Sequence, residues 1–290
     1  MSAATVAGAL AAARQSIPIV EARLLLRHAL GASAAWLEAH RDDLLPRSAA
    51  EAFAALVERR ACGEPVAYLL GFREFYGREF SVTPDVLIPR PETELLVEIG
   101  QKIVGTPGVL PAGRAGDTAS LLDLGTGSGC VAITLALELP QARVSAADIS
   151  AAALAVARAN ATLLGADVSF VESDWLACFG GRRFDLIVSN PPYVAAGDPH
   201  LSEGDLRFEP PSALACGADG LDAIRRIVAD ASRHLEAGGW LLLEHGYDQA
   251  DAMRELLAAA GFADIEQHRD LAGIVRVSGG RLTKYQEALN

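Results

Sequence analysis

The sequence predicts an α/β fold, a doubly wound and mostly parallel seven-stranded sheet with a small N-terminal helical domain. Three observations carry this expectation. Five short apolar runs separated by helical stretches recur between residues 121 and 243, the alternation of a parallel sheet covered by helices. The first run passes through a glycine-rich turn straight into an apolar helix. Upstream, residues 1–71 show helical periodicity with no strand pattern.

Taken in order, Ala22, Leu25, Leu26, Ala29 and Leu30 fall on one helix face, as do Phe53, Leu56 and Val57. Gly63, Glu64 and Pro65 stop this region. Residues 72–82 hold two short aromatic runs around Gly77, which predicts a hairpin. Pro89 and Pro91 then precede a helix start near Glu92. The boundaries are therefore 1–71 for the helical domain, 72–90 for a hairpin linker and 91–290 for the sheet domain. Residues 106–119 are turn-rich and read as an exposed loop. Strands are expected at 121–124, 144–147, 168–171, 184–189 and 240–243, with 265–269 and 274–277 as an antiparallel edge pair.

Composition narrows the function. The 290 residues are 51% hydrophobic and 21% charged, and no apolar run approaches the roughly 18 residues that span a bilayer. Residues 1–13 are alanine-rich but lack a basic segment followed by a dense apolar core, so a secretory signal is not expected and cytoplasmic residence is. The net charge of -12 opposes non-specific attraction to nucleic acid. Cys62, Cys130, Cys178 and Cys216 have neither disulfide-framework nor zinc-ligand spacing, and no metal is expected.

The first run ends in Gly125, Thr126, Gly127, Ser128 and Gly129. A dinucleotide fingerprint would need its third glycine at position 130, which is Cys. Glycine here lets the backbone approach an uncharged part of a ligand, although a tight turn alone would use the same residues. Asp148 closes the second run at the strand edge where open α/β sheets bind ligands. Its carboxylate can accept both hydroxyl protons of a ribose, or it or Ser150 can cap the next helix. Asp174 and Trp175 follow the third run, where a carboxylate can accept from an adenine amino group and an indole can stack on the base.

The strand at 184–189 runs directly into Asn190, Pro191, Pro192 and Tyr193. The two prolines remove the amide hydrogens at 191 and 192, so the local backbone offers acceptors and no donors. An incoming NH₂ on a planar carbon can give one hydrogen to the Asn190 side-chain oxygen and the other to the Pro191 carbonyl, with Tyr193 stacked on its face. A carboxamide nitrogen is a poor nucleophile because its lone pair is delocalised. Two acceptors on its hydrogens raise its electron density and fix its direction.

At these residues the chain resembles the class I methyltransferases, and more closely the glutamine-N5 methyltransferases of peptide chain release factors. The family pattern is echoed by residues 63–71 (Gly-Glu-Pro-Val-Ala-Tyr-Leu-Leu-Gly), 88–94 (Ile-Pro-Arg-Pro-Glu-Thr-Glu) and 208–210 (Phe-Glu-Pro), with Ala213 and Leu214. The resemblance implies that Gly125 to Gly129, Asp148, Trp175 and Asn190 contact S-adenosylmethionine and that Asn190 to Tyr193 hold the target glutamine. That glutamine belongs to the Gly-Gly-Gln loop of class 1 release factors, the implied protein partners. One departure is Ile274 and Val275, where polar residues are expected before Arg276; the segment reads as an edge strand remote from the chemistry.

Two other functions fit parts of the pattern. A methyltransferase of the adenine exocyclic amine would use the same Asn-Pro-Pro-Tyr geometry on a flipped base, against which the acidity counts. A non-catalytic adaptor would not need both sites intact. The helical domain is expected to recognise the folded release factor, with Arg73, Arg78 and Arg90 available to line the cleft.

Overall fold

The computed structural model describes residues 5–106 and 119–283, so the turn-rich loop expected at 106–119 lies outside the described residues over 107–118. The chain divides into two units, Met1–Arg73 with Ser202–Phe208, and Glu74–Leu201 with Glu209–Asn290.

The first unit is built from α1 (Val6–Ala13), α2 (Ile19–Leu30), α3 (Ala34–Ala39), α4 (Arg47–Ala61) and α5 (Val66–Leu70). Side chains and one glycine set its helix ends: Thr5 accepts from the Gly8 amide, Ser33 accepts from the Trp36 amide, and the Gly31 backbone closes α2 in the left-handed region. The expected apolar faces meet in one core, where Leu25, Leu26, Leu37, Phe53 and Leu69 are buried. Arg60 binds Glu21 at 2.7 Å and Asp205 at 2.8 Å, which ties the distant segment 202–208 into this unit.

A hairpin of β1 (Phe72–Phe75) and β2 (Arg78–Ser81) follows, as the sequence predicts, and a 3-10 turn at Pro91–Thr93 starts α6 (Glu94–Gly105). The second unit then alternates β3 (Ser120–Leu124), α7 (Cys130–Glu138), β4 (Arg143–Asp148), α8 (Ala151–Leu164), β5 (Val168–Glu172) and β6 (Phe184–Ser189). It continues with α9 (Asp222–His234), β7 (Leu235–Glu244), α10 (Ala250–Ala259), β8 (Phe262–Arg269) and β9 (Val275–Leu282). The sheet order is β5-β4-β3-β6-β7-β9-β8, parallel up to β7 and antiparallel beyond. Strands β3, β6 and β7 are apolar on both faces because helices cover both, Leu121, Leu186 and Leu242 packing on one side and Leu122, Ile187 and Leu241 on the other.

Register positions the site. Leu124 lies opposite Ala147 on β4 and Ser189 on β6, and Asp148 lies opposite Glu172 on β5. Four carboxyl ends therefore finish level, and the chain reverses direction across the sheet between β3 and β6, where open α/β folds bind ligands. One expectation is corrected here. The segment with Ile274, Val275 and Arg276 is no remote edge: β9 inserts between β7 and β8, and Val277 pairs with Glu244.

Candidate active site

Gly125 and Thr126 both donate to the Ala147 carbonyl, which folds the glycine loop over the end of β4. A Cβ on Gly125 would stand 3.3 Å from the Trp175 ring, so the indole lies across the turn and only glycine leaves it room. Gly127 donates to Asp148 Oδ2 at 2.9 Å and Ser150 donates to Oδ1 at 2.9 Å. Each carboxylate oxygen keeps a lone pair for a further donor. Of the two cap candidates, Ser150 caps α8, accepting from Ala153 at 3.1 Å, which leaves Asp148 for the pocket.

Trp175 adopts a left-handed backbone with φ of 52°, unusual for a bulky residue. Ser173 holds this turn by donating to the Trp175 carbonyl and accepting from the Cys178 amide. Asp174 is paired with Arg226 at 2.8 Å on the exposed rim.

Asn190 directly follows β6, and its Nδ2 donates to Thr93 Oγ1 at 3.1 Å. Its Oδ1 is thereby the end of the amide left to accept. The following backbone is fixed by Gln249, whose Nε2 donates to the Tyr193 carbonyl at 3.0 Å, and by Gly220, which that carbonyl approaches too closely for any side chain. The Tyr193 hydroxyl points to Glu244 at 3.4 Å, and burial together with that carboxylate raises the phenol above its ordinary range. Glu244 is itself buried, which pushes its carboxyl up to about 7.

Gly125, Gly127, Asp148, Asp174, Trp175, Asn190 and Pro192 share the wall of one pocket of about 560 Å³. Thr126, Ser128 and Gly129 do not line it. Thr126 donates to buried Asp123 at 2.6 Å, and the Ser128 carbonyl accepts from Asn160. At Gly129 a Cβ would lie 2.8 Å from Ile133 and 3.1 Å from Ala157, so this glycine packs α7 against α8. Pro191 and Tyr193 also lie off that wall, beside it in sequence. Arg78 and Arg90, expected to line a cleft, are engaged in ion pairs with Glu138 and Glu209.

Sequence reasoning missed Thr93, Asp123, Asn160 and Glu244. Asp123 and Glu244 carried a signal, a carboxylate inside or directly after an apolar strand run; Thr93 stood within the 88–94 block without a role.

Two family models match, the PrmC N-terminal domain over residues 4–71 and the Methyltransferase small domain over residues 109–203. The release factor glutamine methyltransferase of Burkholderia pseudomallei is 54% identical over 91% of this chain and 92% of its own length. Those of Bordetella pertussis and Pseudomonas aeruginosa are 52% and 49% identical, over 92% and 90% of this chain and 96% and 92% of their own. Among solved structures, a methyltransferase from Pyrococcus furiosus aligns with a TM-score of 0.51 at 18% identity, covering 78% of this chain and 96% of that one. The T. thermophilus 16S rRNA methyltransferase aligns with a TM-score of 0.51 at 22% identity, covering 72% of this chain and 49% of that one. These two likenesses speak for the class I methyltransferase fold alone. With full-length relatives at about half identity, the chain belongs to the release factor glutamine methyltransferase family.

Proposed function

We propose that this methyltransferase transfers the methyl group of S-adenosylmethionine to the side-chain nitrogen of the glutamine in the Gly-Gly-Gln loop of class 1 release factors. The residues present suit that cofactor: a carboxylate with free lone pairs at Asp148, an aromatic face at Trp175, and a glycine turn whose backbone can be approached closely. When bound, the cofactor supplies an electrophilic methyl on a cationic sulfur.

One observation carries the reading. The Asn190 amide spends its nitrogen on Thr93, so its oxygen is the available acceptor at the end of β6, on the wall that Asp148 and Trp175 also form. With the Pro191 carbonyl, it offers the two acceptors that a glutamine NH₂ needs for its lone pair to be directed. Pro191 and Pro192 keep competing donors away from that nitrogen. No strong base is needed before transfer, because the nitrogen becomes acidic only after it is alkylated. The names of the relatives favour glutamine over adenine as the acceptor.

The test is mass spectrometry of a release factor incubated with the enzyme and S-adenosylmethionine. A single methyl on the loop glutamine is expected. Methyl transfer to adenine in DNA or RNA, with the glutamine unmodified, would overturn the reading.

Recognition of the folded release factor is assigned to the helical unit, since the Asn190 site grips one planar amide and cannot tell glutamines apart. Deleting residues 1–70 would strip Asp205 of Arg60, so point replacements are cleaner. Arg14 and Arg41 are exposed and line a cleft of about 410 Å³ in that unit. Charge reversal at both is expected to raise KM for intact release factor and leave a short loop peptide unaffected; equal effects on both substrates would reject the assignment.

A further inference from the structure

The amide of Asn190 has two ends of nearly equal size and opposite hydrogen-bonding character, and only one orientation serves the reaction. Its oxygen must face the substrate NH₂. A flipped amide would set donor against donor.

Thr93 Oγ1, 3.1 Å from Nδ2, is the partner that holds the orientation. A hydroxyl alone cannot do this, because it donates as readily as it accepts and would serve a flipped amide equally well. The ambiguity is removed one step further on. Thr93 also faces the carboxylate of Glu244 and favours its ionised form; that carboxylate is 1% exposed and, ionised, can only accept. The Thr93 proton is thus drawn to Glu244, and Oγ1 is left as an acceptor facing Asn190. Polarity runs from Asn190 through Thr93 to Glu244. The same carboxylate takes the Tyr193 hydroxyl at 3.4 Å, so it fixes a second member of the Asn-Pro-Pro-Tyr segment.

Burying a carboxylate is costly, and Glu244 keeps one oxygen, Oε2, without a hydrogen-bond partner among the described residues. Packing does not account for a charge in this position at the end of β7. We propose that Thr93 and Glu244 are positioning residues for methyl transfer, which together hold the Asn190 side-chain amide with its oxygen toward the substrate. The proposal rests on the assignment of Asn190 as the acceptor for the target amide.

Protonation of Glu244 would let it donate and so release the polarity. The groups acting on it are Glu92 ahead of α6, which raises its pKa, Arg276 on β9, which lowers it, and Tyr193; Arg90 acts in turn on Tyr193. Its carboxyl, raised to about 7, titrates where activity can be followed. Activity is expected to rise with pH as this group ionises.

The experiment compares Thr93→Ser, Thr93→Val, Glu244→Gln and Asn190→Ala in steady-state methylation of a release factor, with S-adenosylmethionine binding by calorimetry and thermal unfolding alongside. Thr93→Val is expected to lower kcat by roughly 10- to 100-fold, with KM and cofactor Kd changed less than about threefold. Thr93→Ser, which restores the hydroxyl, is expected to stay within about threefold of the parent in kcat. Glu244→Gln is expected to lower kcat and to lose the pH-dependent limb near 7. An unchanged kcat in Thr93→Val, or an unchanged pH limb in Glu244→Gln, overturns the positioning role. So does a loss in Thr93→Ser equal to that in Thr93→Val, which would mark a packing effect. If Thr93→Val fails to fold, Thr93→Ala is read by the same criteria, and failure of that variant too assigns Thr93 to structure. Full activity in Asn190→Ala would instead remove the assignment of Asn190 itself.

Discussion

Asn160 and Ser81 exchange two hydrogen bonds: the Ser81 amide donates to Oδ1 at 2.8 Å, and Nδ2 donates to the Ser81 carbonyl at 3.0 Å. Its remaining hydrogen goes to the Ser128 carbonyl at 2.9 Å, so one fully buried side chain on α8 pins both the hairpin and the glycine loop.

Asn160→Ala leaves three backbone groups unpaired and is expected to lower unfolding stability by roughly 2–4 kcal/mol. Asn160→Asp, of the same shape, turns both donors into acceptors facing carbonyls and is expected to be no better. Urea unfolding measures both. A silent Asp variant would mean that shape alone matters at this position.

Gly127 and Gly129 both have positive φ, at 54° and 83°, yet only Gly129 is crowded. Gly127→Ala is expected to cost the left-handed strain alone, about 1–2 kcal/mol. Gly129→Ala adds a clash with Ile133 and Ala157 and is expected to cost more. Thermal unfolding of the two variants gives the ranking, and an equal loss would refute the packing role.

Binding and chemistry are expected to separate among the pocket residues. Trp175→Ala and Asp148→Ala should each weaken S-adenosylmethionine binding by about 1–3 kcal/mol, through lost stacking and lost ribose hydrogen bonds. Asp148→Ala also frees the Gly127 amide. Asn190→Ala should largely retain binding and lose methyl transfer by at least ~100-fold. Calorimetry with single-turnover kinetics distinguishes the classes; unchanged dissociation constants in both binding variants would show that the nucleoside is misplaced.

Asp123 provides a pH test. Burial raises its carboxyl from the usual range to about 7, against the opposing hydrogen bond from Thr126. The native state therefore holds this proton more tightly than the unfolded chain. Its contribution to stability is present below about pH 4 and is lost as pH rises through about 7. Asp123→Asn should be increasingly favoured over the parent as pH rises from 4 to 8, by at least about 1 kcal/mol across the window. Parallel stability profiles would contradict this.

The parallel strands and the Asn-Pro-Pro segment at a strand end were legible because both write themselves locally. Apolar runs of four to six residues between helices specify parallel strands, and Asn-Pro-Pro at a strand end leaves few conformations. Thr93 and Glu244 were not legible, since their meaning is a hydrogen bond to residues 97 and 51 positions from them in sequence. Nor was the reach of the glycine loop. Five successive residues look alike in sequence, but register and helix packing turn Gly125 and Gly127 outward and commit Thr126, Ser128 and Gly129 to the interior. The antiparallel pair was visible, but strand order across a turn is not a local property, so β9 was mistaken for an edge.

The segment Ser202–Phe208 gives the helical unit an order of birth at odds with its order of completion. Its helices leave the ribosome first, but Arg60, only 16% exposed, then has Glu21 without Asp205, and the Cys62 carbonyl has no Arg207 to accept from. Both partners arrive only after β3, β4, β5 and β6 have been translated. A nascent chain paused before residue 202 therefore carries an unfinished first unit although four of the five parallel strands have been translated, and the closing contacts of that unit are among the long-range ones that form late.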